Sequence, residues 1–232
     1  MNHPESSGVL LAFKQFLTWV GQWLSKGQLF HLQSTLNYLK LGHWMASRGF
    51  HFSGRVRNRR QVWDVMARSL ADRRALYLEF GVAGGESIRY WANALKHPES
   101  RLHGFDSFEG LPEDGGPWQK GQFSTSGQTP VVDDPRVQFF KGWFDRTLPT
   151  YQLPAHDVLV INVDADLYNS TIYVLQALRP HVRNGTFIYF DEMNHPEHEP
   201  KAFEKFLTET NLKFVPVAAD KTLTYVSFRC TG

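Results

Sequence analysis

Hydrophobic and polar positions divide the chain into two parts. Up to about residue 65, apolar residues recur mostly at helical spacing and strand patterns are almost absent. From about residue 75, short apolar runs alternate with amphipathic stretches. This change predicts a helical extension over residues 1–65 and an α/β domain over residues 66–232.

The amino-terminal part predicts two helices. The segment VLLAFKQFLTWVGQWL forms one apolar stripe on a helix, and FHLQSTLNYLKLGHWM continues the pattern. Polar residues interrupt the first run, which is too short and too broken for a membrane span. We expect these helices to cap the main domain or to form a homo-oligomer surface. An interfacial helix lying on a membrane is the alternative, which the scarcity of cationic residues disfavours. The stripe consists of Leu10, Phe13, Leu17 and Val20, widened by Phe16, Trp19 and Trp23.

Strands and helices alternate through the second part, which predicts a doubly wound sheet. The last two runs, LKFVPVA and LTYVSFR, predict a hairpin and therefore an antiparallel strand at one edge. The predicted strands are ALYLEF, RLHGFD, VQFF, DVLVINVD, GTFIYFDE and these last two runs.

The turn EFGVAGGES joins the first strand to a helix and is a candidate ligand site. Ligands of open α/β sheets bind beyond the carboxyl ends of the strands. Gly81 and Gly85 do not match the G-x-G-x-x-G spacing of a dinucleotide site. Glu79, just before the turn, disfavours a pyrophosphate and suits a cationic ligand such as S-adenosylmethionine. Asp106 ends the second strand, where an acid can bind ribose hydroxyls.

Acidic residues also end the fourth and fifth predicted strands. Asp164 and Asp191 each close an apolar strand, and Glu192 follows directly. Carboxylates gathered at one edge repel one another unless a cation lies between them. Oxygen ligands favour Mg²⁺ or Ca²⁺. For Asp166 the alternative role is to cap the helix that follows.

Composition and charge narrow the classes of function. The net charge is +2, so the whole chain has no nucleic-acid signature. The segment GRVRNRRQVW is locally basic, and forms either a solvated helix face or an anion-facing lip. The one cysteine, Cys230, allows no internal disulfide, which fits a reducing compartment, and Met1 to Gly8 do not read as a secretory signal. We therefore expect a cytoplasmic protein.

Five segments together resemble the macrocin O-methyltransferase family of class I S-adenosylmethionine-dependent enzymes. They are YLEFGVAGGES, LHGFDSFEGLPED, GWFDRTLP, VDADLYNST and FIYFDE, and the resemblance covers about half of the chain. It implies a Rossmann-like, seven-stranded sheet whose last strand is antiparallel.

The resemblance also implies a set of site residues. Asp106 would hold the ribose, and a magnesium ion would bind Asp164, Asp191 and Glu192. Glu192 stands where the family usually has a second aspartate. The residues expected to bind the donor are Glu79, Gly81, Gly85, Ser87, Asp106, Ser107, Phe108, Gly142, Trp143 and Asp164.

The function predicted is Mg-assisted methyl transfer from S-adenosylmethionine to a hydroxyl of a small molecule, such as a sugar or secondary metabolite. His195 and His198 are weak candidates for the general base, because they lie beside the metal strand in sequence. The loop from Glu109 to Pro135, with Trp118 and Phe123, is long enough to act as a lid. The alternatives are an NAD-dependent oxidoreductase and a non-catalytic Rossmann-like binding module.

Overall fold

A computed structural model describes residues 8–232. Residues 1–7, which hold most of the predicted polar start, lie outside the described part. Seven α-helices and seven strands are present in residues 8–232, with 3₁₀ turns at Leu148–Thr150 and Arg179–His181. The helices are α1 (Gly8–Gly21), α2 (Lys26–Ser47), α3 (Arg59–Ala67), α4 (Glu86–Ala94), α5 (Phe144–Thr147), α6 (Tyr168–Leu178) and α7 (Glu199–Thr210). The strands are β1 (Ala75–Phe80), β2 (Arg101–Asp106), β3 (Val137–Lys141), β4 (Val158–Val163), β5 (Phe187–Phe190), β6 (Phe214–Ala219) and β7 (Val226–Cys230).

The strands form one sheet in the order β3-β2-β1-β4-β5-β7-β6. The pairs among β1 to β5 are parallel, and β7 runs antiparallel to both β5 and β6. The predicted Rossmann-like sheet with an antiparallel last strand is therefore confirmed. One detail was wrong: the antiparallel strand is interior, because β7 inserts between β5 and β6 and leaves β6 at the edge.

Each face of the sheet is covered by helices. One core packs α6, α7 and the end of α2 against Phe80, Ile161 and Phe190. The other packs α3 and α4 against Tyr77, Val160 and neighbouring side chains. Because the strands alternate sides, Glu79 and Tyr77 share the α4 face, away from the α6 face.

The amino-terminal helices differ in how they meet this domain. Helix α2 begins with a capping box between Ser25 and Gln28, and buries Leu41 and Met45 near its end. Helix α1 buries no residue, so the predicted apolar stripe lies exposed and does not join the core. Within residues 8–232, no helix combines the length and the apolar character needed to cross a bilayer.

Helix α3 belongs to the core of the sheet domain. It begins at Arg59 after the N-cap Asn58, and buries Val62, Trp63 and Met66. The division predicted at residue 65 therefore falls inside α3.

Candidate active site

A cavity of about 940 Å³ opens at the carboxyl ends of the parallel strands. That volume is at the upper end for small-molecule sites, which run from about 300 to 1,000 Å³. Its wall includes three acids that follow different strands: Asp106, Asp164 and Asp191. They converge because parallel strands end at the same edge of the sheet.

The glycine turn is held against the neighbouring strands by close backbone contact. Gly81 has a φ of +92°, and a Cβ there would lie 1.8 Å from the carbonyl oxygen of Asp164. Only glycine fits this approach. The backbone N–H of Gly81 also donates to the carbonyl of Phe105 at 3.0 Å. The turn is therefore fixed between β2 and the end of β4.

Asp106 organises the same turn through its side chain. One carboxylate oxygen accepts hydrogen bonds from the backbone N–H groups of Val82 and Ala83, each at 2.8 Å. The other oxygen accepts from the Phe108 N–H at 2.7 Å. The carboxylate still lines the cavity, where its one remaining lone-pair site, on Oδ1, is available to a ligand.

Glu79 is fully buried and does not line the cavity. Its carboxylate accepts hydrogen bonds from Ser87 Oγ at 2.6 Å and from the Tyr77 hydroxyl at 2.7 Å. Burial raises the pKa of Glu79 to about 8, although both hydrogen bonds oppose the shift. Glu79 thus supports the glycine turn from beneath, through Ser87 of α4.

The other residues predicted to bind the donor divide into two groups. Ser107, Gly142, Trp143 and Asp164 lie on the cavity wall with Gly81 and Asp106. Gly85, Ser87 and Phe108 do not, and Phe108 is buried behind the wall.

Burial and the charges of Asp191 and Asp166 raise the pKa of the acids at the far side of the cavity. Burial and the charges of Asp191 and Asp166 raise the pKa of Asp164 well above its usual value. Burial and Asp191 raise the pKa of Asp166 to about 7, and burial, Asp191 and Asp166 raise that of Glu192 to about 8. Asp166 does not cap α6, which begins at Tyr168 with Leu167 as N-cap and no side-chain cap bond.

The donor set is the kind that suits a hard divalent cation. Asp164, Asp191 and Glu192 supply only oxygen and line the same cavity. Within residues 8–232, no group of three or more His, Cys, Asp or Glu side chains is arranged to hold a metal ion. Magnesium commonly uses one or two carboxylates and keeps its waters, so a smaller protein ligand set fits it.

His195 and His198 do not line the cavity. Their rings pack against Trp118, with centroid distances of 4.8 Å and 5.0 Å. Burial lowers the pKa of both histidines. Trp118 is buried, and it packs the long loop against the segment after β5. Phe123 of the same loop is exposed and lines the cavity.

Sequence patterns did not identify several wall residues. Arg59 comes from α3 and pairs with Asp191, with Nη1 and Oδ2 separated by 3.7 Å. Its place in a basic segment was the available signal, and the structure places its side chain on the cavity wall. Further wall residues that were not predicted are Lys120, Gln122, Phe144, Asp145, Arg146, Asn169, Ser170, Tyr173 and Tyr225.

Comparisons with known proteins agree with this architecture. The family model for Macrocin-O-methyltransferase (TylF) matches residues 122–227. A curated relative from Streptomyces olivaceus, 8-demethyl-8-(2,3-dimethoxy-alpha-L-rhamnosyl)-tetracenomycin-C 4'-O-methyltransferase, is 33% identical over 140 residues. The match covers 50% of this chain and 51% of the relative, so the chain aligns with about half of that protein's length.

Solved structures share the fold. The calicheamicin methyltransferase CalS11 has a TM-score of 0.59 and 22% identity, over 84% of this chain and 91% of that chain. The cmcI-D160 structure with Mg and SAM has a TM-score of 0.52 and 17% identity, over 75% of this chain and 71% of that chain. The family match at residues 122–227 and the match to the curated relative each cover about half of the chain, and over that part the chain is similar to the macrocin O-methyltransferase family.

Proposed function

We propose that this chain is an S-adenosylmethionine-dependent O-methyltransferase acting on a hydroxyl of a small molecule. The observation that carries the proposal is the convergence of the glycine turn and the acids Asp106, Asp164 and Asp191 on one cavity. The match of residues 122–227 to the family model supports the same reaction class.

The residues of the turn bind and orient the donor. S-adenosylmethionine supplies a methyl group that its sulfonium already activates. Asp106 holds the turn with three lone-pair sites and accepts a hydrogen bond from the ribose with the fourth. Gly142 and Trp143, which follow β3, contact the adenine side. The protein's main task is to align donor and acceptor.

The acceptor that we propose is a sugar hydroxyl in a secondary metabolite. The relative from Streptomyces olivaceus is named for methylating a rhamnosyl group, which supports this class. The cavity has room for a second ligand beside a nucleoside, and Tyr173 and Asn169 offer aromatic and hydrogen-bonding surface on its wall.

We extend the proposal to Mg²⁺, held by Asp164 and Glu192 with Asp191 nearby. The effect of Asp191 on the pKa of both Asp164 and Glu192 supports a cation site, because bound positive charge removes the cost of ionising neighbouring carboxylates. Bound magnesium lowers the pKa of a ligated hydroxyl.

Titration of Mg²⁺ into the chain with S-adenosylhomocysteine present should give saturable binding that Asp164→Asn removes. Asp145→Asn, which changes an exposed acid on the same wall, is the matched control. Equal binding in wild type and Asp164→Asn would contradict this assignment.

Turnover tests the reaction itself. The chain is mixed with S-adenosylmethionine and a rhamnoside that has free vicinal hydroxyls, and the products are analysed by mass spectrometry. We expect formation of S-adenosylhomocysteine and a methylated sugar. Tight binding of S-adenosylhomocysteine without transfer to any of a panel of glycosides would favour a non-catalytic module.

We also propose a homo-oligomer in which a second copy covers α1 and the first half of α2. This surface exposes large apolar side chains, among them Phe13, Trp19 and Phe30. Lys14 is the one charged residue of α1, so an identical apolar face suits it better than an anionic surface does. Light scattering should give a multiple of 26.7 kDa, and Phe13→Ser with Trp19→Ser should reduce it to one chain. A monomeric wild-type chain would contradict the proposal.

A further inference from the structure

Arg59 is a cation on the acidic side of the cavity, and the donor-binding assignments above give it no role. It starts α3, far in sequence from the glycine turn, yet its guanidinium reaches two elements of the site. It hydrogen-bonds Glu86, which directly follows Gly85, and lies near Asp191 after β5. Its charge therefore lies between the end of the turn and the acidic wall.

The guanidinium is held in place but keeps hydrogen-bonding capacity. It lies over the ring of Trp63, 5.4 Å from the centroid, which fixes its position. Its Nη1 is 3.7 Å from Asp191, too long for a hydrogen bond, and Glu86 is largely exposed to solvent. An arginine side chain has five N–H donors. Within residues 8–232, the side chain of Arg59 makes one hydrogen bond, to Glu86.

The methionine part of the donor is a zwitterion, so its site needs both an acidic and a basic partner. Asp191, which lines the cavity, suits the ammonium group. The other cations of the described wall, Lys120 and Arg146, belong to the long loop and to α5 after β3, toward the adenine side of the sheet. Arg59 alone pairs with acids beside β1 and β5.

We propose that Arg59 binds the α-carboxylate of the methyl donor. The planar guanidinium matches a carboxylate in two-point geometry, which lysine does not reproduce. This inference rests on the proposed function, and it adds a binding residue from a segment outside the resemblance to the family.

Two ligands that differ by the carboxylate test the assignment. Affinities are measured calorimetrically for S-adenosylhomocysteine and for its decarboxylated analogue, S-adenosyl-3-thiopropylamine. Wild type should prefer the first ligand by about tenfold or more. Arg59→Gln should weaken S-adenosylhomocysteine by about 10- to 100-fold and change the analogue less than about twofold. Arg59→Lys should fall between, and Arg60→Gln, an exposed neighbour on α3, should match wild type.

The outcomes separate this inference from the proposed function. Equal losses for both ligands in Arg59→Gln, or no loss for either, would overturn the carboxylate assignment alone. If Arg59→Gln does not fold, the ligand preference of wild type decides, and no preference overturns the assignment. If wild type binds neither ligand, the proposed function fails together with the inference.

Discussion

A Cβ atom at Gly81 would lie 1.8 Å from the carbonyl oxygen of Asp164. The turn after β1 and the end of β4 are therefore in direct backbone contact, and a ligand on the turn also meets the acids of β4. This contact joins the donor-binding and acidic parts of the cavity.

Gly81→Ala should disrupt the turn, because alanine adds both a steric clash and a strained positive φ. We expect a loss of about 1–3 kcal/mol in the free energy of unfolding, or more, and at least tenfold weaker binding of S-adenosylhomocysteine. Urea unfolding and calorimetry measure the two effects. Gly84→Ala is the control, since no atom lies within 4 Å of its added Cβ. If Gly81→Ala bound like Gly84→Ala, the close contact would not matter for the site.

Asp106→Ala should weaken S-adenosylhomocysteine by at least tenfold. The substitution removes the ribose partner and leaves three backbone N–H groups without their acceptor. Calorimetry compares it with Asp133→Ala, an exposed acid of the long loop. Unchanged affinity in Asp106→Ala would remove the ribose assignment.

Glu79→Gln should alter how stability depends on pH. The folded-state pKa of Glu79 is raised from 4.5 to about 8, so its contribution is fully present below pH 4.5 and is lost as pH rises to about 8. Glutamine at this position cannot ionise. Between pH 5 and pH 8, the free energy of unfolding of wild type should therefore fall by about 1–3 kcal/mol more than that of Glu79→Gln. Urea unfolding at several pH values measures this difference, with the exposed Glu109→Gln as control. Parallel pH curves for wild type and Glu79→Gln would show that Glu79 titrates normally.

Asp164→Asn should leave the affinity for S-adenosylhomocysteine within about threefold of wild type and lower kcat by at least about 100-fold. The reason is that the amide keeps the shape of the side chain but loses the charge that would hold Mg²⁺. Removing divalent ions from wild type with a chelator should lower kcat similarly. Full activity in Asp164→Asn would contradict the proposed metal site.

Trp118→Ala should release the long loop from the segment after β5. Loss of a buried tryptophan costs about 3–5 kcal/mol in stability, and faster proteolysis between residues 109 and 135 should accompany it.

His195→Gln should lower kcat by less than about tenfold, because the ring packs against Trp118 and does not line the cavity. A loss of 1,000-fold or more in His195→Gln, with an altered pH profile, would restore this histidine as a base candidate.

The ends of the strands could be predicted well from the sequence. An apolar run that stops at an acidic residue indicates both a strand and the point where that strand ends. Asp106, Asp164 and Asp191 were predicted to meet on this basis, and all three line the cavity. The interior position of β7 could not be predicted, since the order of strands in space does not follow from their alternation with helices along the chain.

Two features of the site were not predicted. One depends on the direction in which a side chain points, and the other on a contact between segments that are distant in sequence. Glu79 was expected to face the ligand, but it shares a strand face with Tyr77, and α4 covers that face. The period of two along β1 was the signal that would have revealed this. Arg59 reaches the cavity only because α3 packs across the sheet through Trp63 and Met66, a long-range contact.

Calorimetric titration of the wild-type chain with S-adenosylhomocysteine, and separately with NAD, shows whether the cavity is a methyl-donor site. We expect saturable binding of S-adenosylhomocysteine at one site per chain and no measurable binding of NAD. Binding of NAD in preference to S-adenosylhomocysteine would contradict this expectation.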